Sequence, residues 1–373
     1  MKASRRSFLA GALALPAVAA DETQLNVTYR TLGRTGLKVS TLGFGCMLTS
    51  DASVVTRAID AGVRYFDTAR VYQRGNNERM LGAAVKGKRD RVVISSKSRT
   101  RSATGMLGDL EESLRALGTD YLDIWYIHDI RDPSGITDEL LGAQQKAKKE
   151  GKVRFAGLSL HGGHKEVIPA AIGTGQIEVL LTTYNFAMDD AFTPLLASAF
   201  KAGLGVVAMK VMAGSFRLNE GYNYDRAQQV LKQRGAHLAA LKWVLQHPFV
   251  HTAIPSIVDA EQLAENLRAM REPFDEPDRK LLQTQLGYIR PLYCRMCDAC
   301  NGACPRGLPV ADVLRYLTYA EGYGQFALGR EHFLELPAAQ QSVRCSQCPA
   351  CVVKCPYGVK VAERLARAQE LFA

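Results

Sequence analysis

The sequence predicts an α/β chain, a (β/α)8 TIM barrel followed by a small, mostly helical domain. Three observations lead there. Between residues 28 and 272, eight short apolar runs alternate with stretches of helical periodicity, the count that such a barrel needs. That stretch of about 240 residues suits one barrel. No G-x-G-x-x-G follows the first run, which leaves the doubly wound open sheet as the second choice.

The elements follow in order. Residues 1–20 include an Arg5-Arg6 pair in SRRSFL, a short Ala-rich apolar stretch and an Ala17-Val18-Ala19 cleavage-type site. That is the form of a signal peptide for the twin-arginine export route, which carries proteins already folded around their cofactors. The expected location is therefore periplasmic, with the cytoplasm as the alternative. YRTLGRTGLKVS, from Tyr29, reads as a hairpin. The eight runs are TLGF from Thr41, RYFD from Arg64, RVVISS from Arg91, YLDIWYI from Tyr121, VRFAGLS from Val153, VLLTT from Val179, GVVAM from Gly205 and TAIP from Thr252. Helical stretches lie between them, among them MLGDLEESLRAL from Met106 and DELLGAQQKAKKE from Asp138. Residues 273–293 form a linker and one helix, and residues 294–373 carry two cysteine runs with helical segments between them.

Composition narrows the function classes. The chain has 373 residues and 47% apolar content, enough for one large core and one small one. No window reaches the roughly 18 apolar residues of a membrane span, so an integral membrane protein is not expected. The formal charge of +10 includes Lys2, Arg5 and Arg6 of the leader. No basic stripe is interleaved with aromatics, so nucleic acid is not an expected partner.

Four residues fall at or just past the C-terminal ends of predicted strands, on the rim where barrel active sites are built: Asp67, Tyr72, Lys97 and His128. A phenol with a reference pKa near ~10 is a poor proton donor at neutral pH, and an adjacent ammonium lowers that value. Asp67 can hold Lys97, and His128 can donate a hydrogen bond to a carbonyl oxygen. Singly, each has an ordinary structural role open to it; together on one rim they read as a site. His161 and His164 lie beyond the fifth run and reach substrate or simply shape a turn. Cys46, after the first run, reads as a small buried thiol.

In context these residues resemble the aldo-keto reductase family. The resemblance rests on YRTLGRTGLKVSTLGFG from Tyr29, GVRYFDTARVY from Gly62, LGTDYLDIWYIH from Leu117, GKVRFAGLS from Gly151 and IPSIVDAEQLAEN from Ile254. It implies hydride transfer between a nicotinamide cofactor, NADP(H) or NAD(H), and a small carbonyl or alcohol substrate. The family's tetrad maps onto Asp67, Tyr72, Lys97 and His128, with Tyr72 as acid or base. Ser159 matches the serine that contacts the carboxamide, and Ser256, Gln262, Glu265 and Asn266 match adenine-side contacts. Lys210 meets the pyrophosphate or is a plain surface lysine. Leu160, Leu181 and Met209 stand where the family usually has Asn, Gln and an aromatic.

The cysteine runs are CRMCDACNGACP, from Cys294, and CSQCPACVVKCP, from Cys345. Disulfides and two tetrahedral zinc sites are the competing readings, but three thiols spaced by two residues strain a disulfide framework, and zinc modules use separated C-x2-C pairs. A C-x2-C-x2-C-x3-C-P run supplies ligands for 4Fe–4S clusters, with the last cysteine of each run serving the other cluster. Cys294, Cys297, Cys300 and Cys355 would then hold one cluster, and Cys345, Cys348, Cys351 and Cys304 the second. The region resembles helical ferredoxin-like modules, and one branch of aldo-keto reductases carries such a module at its C-terminus. The sequence thus points to an oxidoreductase whose clusters exchange electrons with a redox protein or quinone. An electron-transfer protein with the barrel as docking scaffold, and clusters serving only as staples, are the other readings.

Overall fold

The computed structural model describes residues 27–188, 190–213 and 235–373. Residues 1–20, read above as an export signal, lie outside the described residues. All eight apolar runs form strands of one parallel sheet: β3 (Phe44–Gly45), β4 (Tyr65–Asp67), β5 (Val93–Ser98), β6 (Leu122–Ile130), β7 (Val153–Leu160), β8 (Val179–Thr183), β9 (Gly205–Met209) and β10 (Thr252–Ala253). Each strand pairs with its neighbour in sequence. The ends meet through Leu42 against Ala253 and Gly45 against Ser256, with Gly43 N donating to Ala253 O at 2.9 Å. This is the predicted barrel, closed by these last contacts.

The predicted hairpin is β1 (Tyr29–Thr31) paired antiparallel with β2 (Lys38–Ser40). Its Leu32, Leu37 and Val39 join Tyr65, Val93, Ile124 and Val179 in the barrel interior, so it plugs the end opposite the C-terminal ends of the strands. Inside, the Tyr65 and Tyr126 hydroxyls share a hydrogen bond of 2.7 Å. Gly157 makes room for that pair, since a Cβ there would meet the Tyr126 ring at 2.4 Å. Around the sheet run α1 (Ala52–Asp60), α2 (Asn76–Val85), α3 (Ala103–Leu117), α4 (Asp138–Lys149), α5 (His164–Gly173), α6 (Phe192–Lys201), α7 (Ala236–Leu245) and α8 (Ala260–Arg268). Side-chain caps start several of them: Ser102 accepts from Gly105 N and Thr137 from Leu140 N, satisfying donors the helix leaves unpaired.

A capping box of Asp275 and Asp278 opens α9 (Glu276–Ile289), whose Leu282 packs on Ala239 and Ala240 of α7. Beyond it come α10 (Val310–Glu321), α11 (Phe326–Leu334), α12 (Ala338–Gln341) and α13 (Val361–Phe372). These helices have a core of their own, with Val313, Leu317, Phe333, Leu365 and Phe372 buried and Cys294, Cys300, Cys304, Cys345, Cys351 and Cys355 packed against it. Full burial of each of the two phenylalanines contributes about 1.5–3 kcal/mol. Among the described residues no helix is long and apolar enough to cross a membrane.

Candidate active site

The four rim residues converge. Asp67 ends β4, and the 3-10 turn Tyr72–Gly75 brings the phenol back over the strand ends. Lys97 Nζ, on β5, donates to Asp67 Oδ2 at 2.6 Å and to Thr68 O at 2.7 Å, and lies 3.4 Å from the Tyr72 hydroxyl. Ser95 Oγ donates to the other Asp67 oxygen at 2.7 Å. Register slips between Ile127 and Ile130 of β6, a bulge that turns the rim there. The His128 ring on that bulge stands edge-on to Tyr72, centroids 6.2 Å apart.

Burial opposes the Lys97 ammonium, but Asp67 and Tyr72 outweigh it and hold its pKa above the ordinary value. Burial pushes Tyr72 up to about 12, and the pull of Lys97 offsets only part of that. The expectation that Lys97 lowers the phenol's pKa is therefore half right: Lys97 does pull down, and desolvation of a phenolate costs more. Tyr72 is a protonated phenol at neutral pH. Burial, then Lys97, keeps His128 well below the usual imidazole range, so its ring is neutral, and its Nδ1 has no partner among the described residues.

The other predicted residues divide. Ser159 is buried in β7, where its Oγ accepts from Asp129 N at 3.0 Å beside His128. Leu181 and Met209 fill the barrel interior, whereas Leu160 packs into the outer layer between sheet and helices. Ser256 follows β10, and Gln262, Glu265 and Asn266 share one face of α8 at helical spacing. Gln262 is tied to Val258 N and Asp259. Lys210, after β9, turns to the mouth, 3.1 Å from His161 Nδ1 and 3.1 Å from the Tyr319 hydroxyl. His161 therefore faces the site. His164 does not: it opens α5 and packs edge-on against Phe192 at 4.7 Å. Cys46 is fully buried, as expected of it.

Sequence reasoning missed what covers the mouth. Helix α10 lies across it, with Tyr319 at Lys210 and Arg315 Nη1 3.4 Å from Asp129 Oδ1. Arg131 reaches both Asp129, at 2.7 Å, and Asp312 of α10. Arg99 pairs with Glu335 at 2.9 Å, and Gly163 N donates to Asp298 Oδ2 at 2.8 Å. A Cβ at Gly163 would meet Arg131 O at 1.8 Å, so this contact needs glycine. Tyr293, beside the first cysteine, accepts from Asn185 Nδ2 at 2.8 Å, and the same amide donates to Lys210 O at 2.9 Å. The available signal was the tyrosine stripe of α10 and its C-terminal end, Tyr316, Tyr319 and Tyr323, at helical spacing.

Among the described residues no disulfide joins any of the nine cysteines. Cys294, Cys297, Cys300 and Cys355 line one cavity, with Leu314, Tyr357 and Val359 around them. Burial, and then the neighbouring Cys348, Cys351 and Cys304, push the Cys345 thiol above its ordinary range. Among the described residues no three His, Cys, Asp or Glu side chains close on a point as a single metal ion would require; the first four thiols stand around a space instead.

The aldo/keto reductase family model matches residues 47–284. The chain belongs to the aldo/keto reductase family. L-galactose dehydrogenase of Arabidopsis thaliana is 29% identical over 66% of this chain and 89% of that protein. The holo form of aldo-keto reductase AKR11C1 from Bacillus halodurans superposes with a TM-score of 0.59 at 28% identity, covering 69% of this chain and 96% of its own. An aldo-keto reductase from Klebsiella pneumoniae in complex with NADPH gives 0.59 at 26% identity, over 70% and 95%. The chain is thus an aldo-keto reductase family oxidoreductase, and the family match ends before the first cysteine run.

Proposed function

We propose that this chain interconverts a small aldehyde or ketone and its alcohol at the Tyr72 rim, and that its C-terminal segment carries two 4Fe–4S clusters that exchange electrons with a redox protein or quinone. The observation that carries it is α10: the helix between the two cysteine runs sits on the same mouth that holds Asp67, Tyr72, Lys97 and His128.

Tyr72 is the proton donor to the carbonyl oxygen, being a phenol held protonated by burial. Lys97, anchored by Asp67, stabilises the phenolate left behind. Neutral His128 donates the hydrogen bond that orients that oxygen. The polar residues Ser256, Gln262, Glu265 and Asn266 fit the adenosine half of a nicotinamide nucleotide, with Ser159 on the carboxamide side. When bound, the nucleotide supplies or takes a hydride. Four soft thiolates around one cavity fit a cubane. Cys294, Cys297, Cys300 and Cys355 would hold one cluster, and Cys304, Cys345, Cys348 and Cys351 the other. When bound, each cluster passes one electron at a time.

A second reading has a specific observation behind it. Tyr319 occupies the mouth against Lys210, and apolar Leu181 and Met209 fill the interior where the family resemblance leads one to expect a Gln and an aromatic. The barrel is then a docking scaffold for an electron-transfer protein. Residues 1–20 fit a signal for export to the periplasm, by the route that accepts cofactor-loaded proteins; retention in a cytoplasmic fraction of cells making the full chain would remove that part.

Anaerobic purification separates the readings. Iron, acid-labile sulfide and visible absorption that bleaches with a strong reductant are expected. NADP or NAD released on denaturation, and turnover of a carbonyl panel lost in Tyr72→Phe, support the enzyme. No released nucleotide, with wild type and variant equally inert, supports the scaffold.

A further inference from the structure

We propose that Lys210 is a nucleophilic amine that captures an aldehyde or ketone as an iminium in the mouth of the barrel, beside His161 and Tyr319. Lys210 sits just past β9 with φ +55, a left-handed backbone that a lysine rarely adopts. Such conformations persist where surrounding contacts hold them, and here Asn185 Nδ2 fixes the Lys210 carbonyl at 2.9 Å while itself donating to Tyr293. The backbone strain and its lock aim the amine inward.

The amine's neighbours suit a neutral nitrogen. Nζ meets His161 Nδ1 and the Tyr319 hydroxyl, each at 3.1 Å. Among the described residues no carboxylate is within ion-pair distance of it. Asp129, the acidic group that acts on it, is already engaged by Arg131 and Arg315. Burial first, then the charges of Arg315, Arg131 and Lys97, keep the amine well below the usual lysine range. Desolvation beside other cations is the standard means of making a lysine nucleophilic. Lys210 and His161 each keep part of their surface exposed, so neither is sealed off from a small carbonyl compound.

The step balances without an oxidant or reductant. The Nζ lone pair forms a C–N bond to the carbonyl carbon, and the C=O π pair moves to oxygen, which takes a proton from Tyr319. His161 receives the proton leaving nitrogen. His161 then returns that proton to the carbinolamine hydroxyl, and the C–O bond breaks to release water and leave the iminium. The sum is carbonyl, amine and one proton giving iminium and water; hydrolysis reverses it.

Because capture needs neither nucleotide nor cluster redox change, it can be scored apart from the reaction proposed above. The full chain, purified anaerobically, is incubated with propanal and cyanoborohydride near neutral pH, and each lysine's added propyl group is read by peptide mass mapping. Lys210 is expected to label roughly tenfold or more faster than exposed Lys38, because a depressed pKa leaves more free amine at that pH. Lys210→Met should remove that adduct and leave labelling of Lys38 unchanged. Equal rates at Lys210 and Lys38 in the wild-type chain would overturn the proposal, and this ratio needs no variant to fold. An adduct on Lys97 in place of Lys210 would overturn it too.

Discussion

Arg315 of α10 and Asp129 at the end of β6 form a buried ion pair, 3.4 Å apart, between residues that are distant in sequence. Burial opposes both charges, and their attraction outweighs it: Asp129 is held well below the usual carboxylate range and Arg315 is raised. The pair fastens the cysteine-bearing segment over the tetrad.

Asp129→Asn should therefore loosen that segment. It leaves the Arg315 guanidinium buried without this partner, a change that costs about 3–5 kcal/mol when one member of a buried pair is removed. Asp312, 3.1 Å from Arg315, remains and puts the loss at the lower end. Urea unfolding should shift to a lower midpoint, and limited proteolysis should cut first between α9 and α10. An unchanged midpoint and cleavage pattern would show that the pair does not hold the mouth closed.

Tyr72→Phe removes one hydroxyl from a site whose other contacts, Lys97 to Asp67 and to Thr68 O, do not depend on it. Loss of a general acid typically costs 10²–10⁴-fold in rate. In the proposed enzyme kcat should fall by about that much with KM little changed, and iron content should stay at the wild-type level. Steady-state kinetics beside an iron assay tests both halves; a variant that keeps full kcat removes Tyr72 from the chemistry.

Most of the architecture was legible, and the part that was not has a physical reason. Eight apolar runs became eight strands because strands buried on both faces leave an unbroken signal. Asp67, Tyr72, Lys97 and His128 were found because strand ends of a barrel share one rim. The partnership of Arg315 and Tyr319 with that rim could not be found, since cysteine spacing says what the thiols bind and nothing about where their domain docks. The sign of the Tyr72 shift also escaped, because the pull of Lys97 is visible in sequence and the competing burial is not. His164 shows the same limit: two histidines three residues apart differ in role because α5 begins at the second.

His164 carries a stability prediction. Its pKa is pushed down to about 3 by burial and then Lys210, and neither ring nitrogen has a partner among the described residues. The folded state holds this ring neutral, whereas the unfolded chain takes up a proton near ~6.5. As pH falls below that value, the unfolded state binds the proton first, and stability drops until about pH 3. His164→Leu keeps the packing on Phe192 and removes the titration. Thermal unfolding of the variant should lose less between about pH 7 and 4 than that of the wild type; parallel curves would mean the ring is not held neutral.

The cysteine assignment has its own test, because two pairings of the runs predict opposite results for double variants. In the proposed holoprotein Cys304 serves with Cys345, Cys348 and Cys351, and Cys355 joins Cys294, Cys297 and Cys300, whose cavity it lines. Cys304→Ser with Cys348→Ser then strikes one cluster twice, and about half the iron should remain. Cys304→Ser with Cys297→Ser strikes both, and little iron should remain. If each run instead held its own cluster, the outcomes would exchange, since Cys297 and Cys304 would share a site and Cys348 would not. Iron and sulfide counts on the two anaerobically prepared proteins, read against each other, decide between the pairings even if each substitution lowers yield.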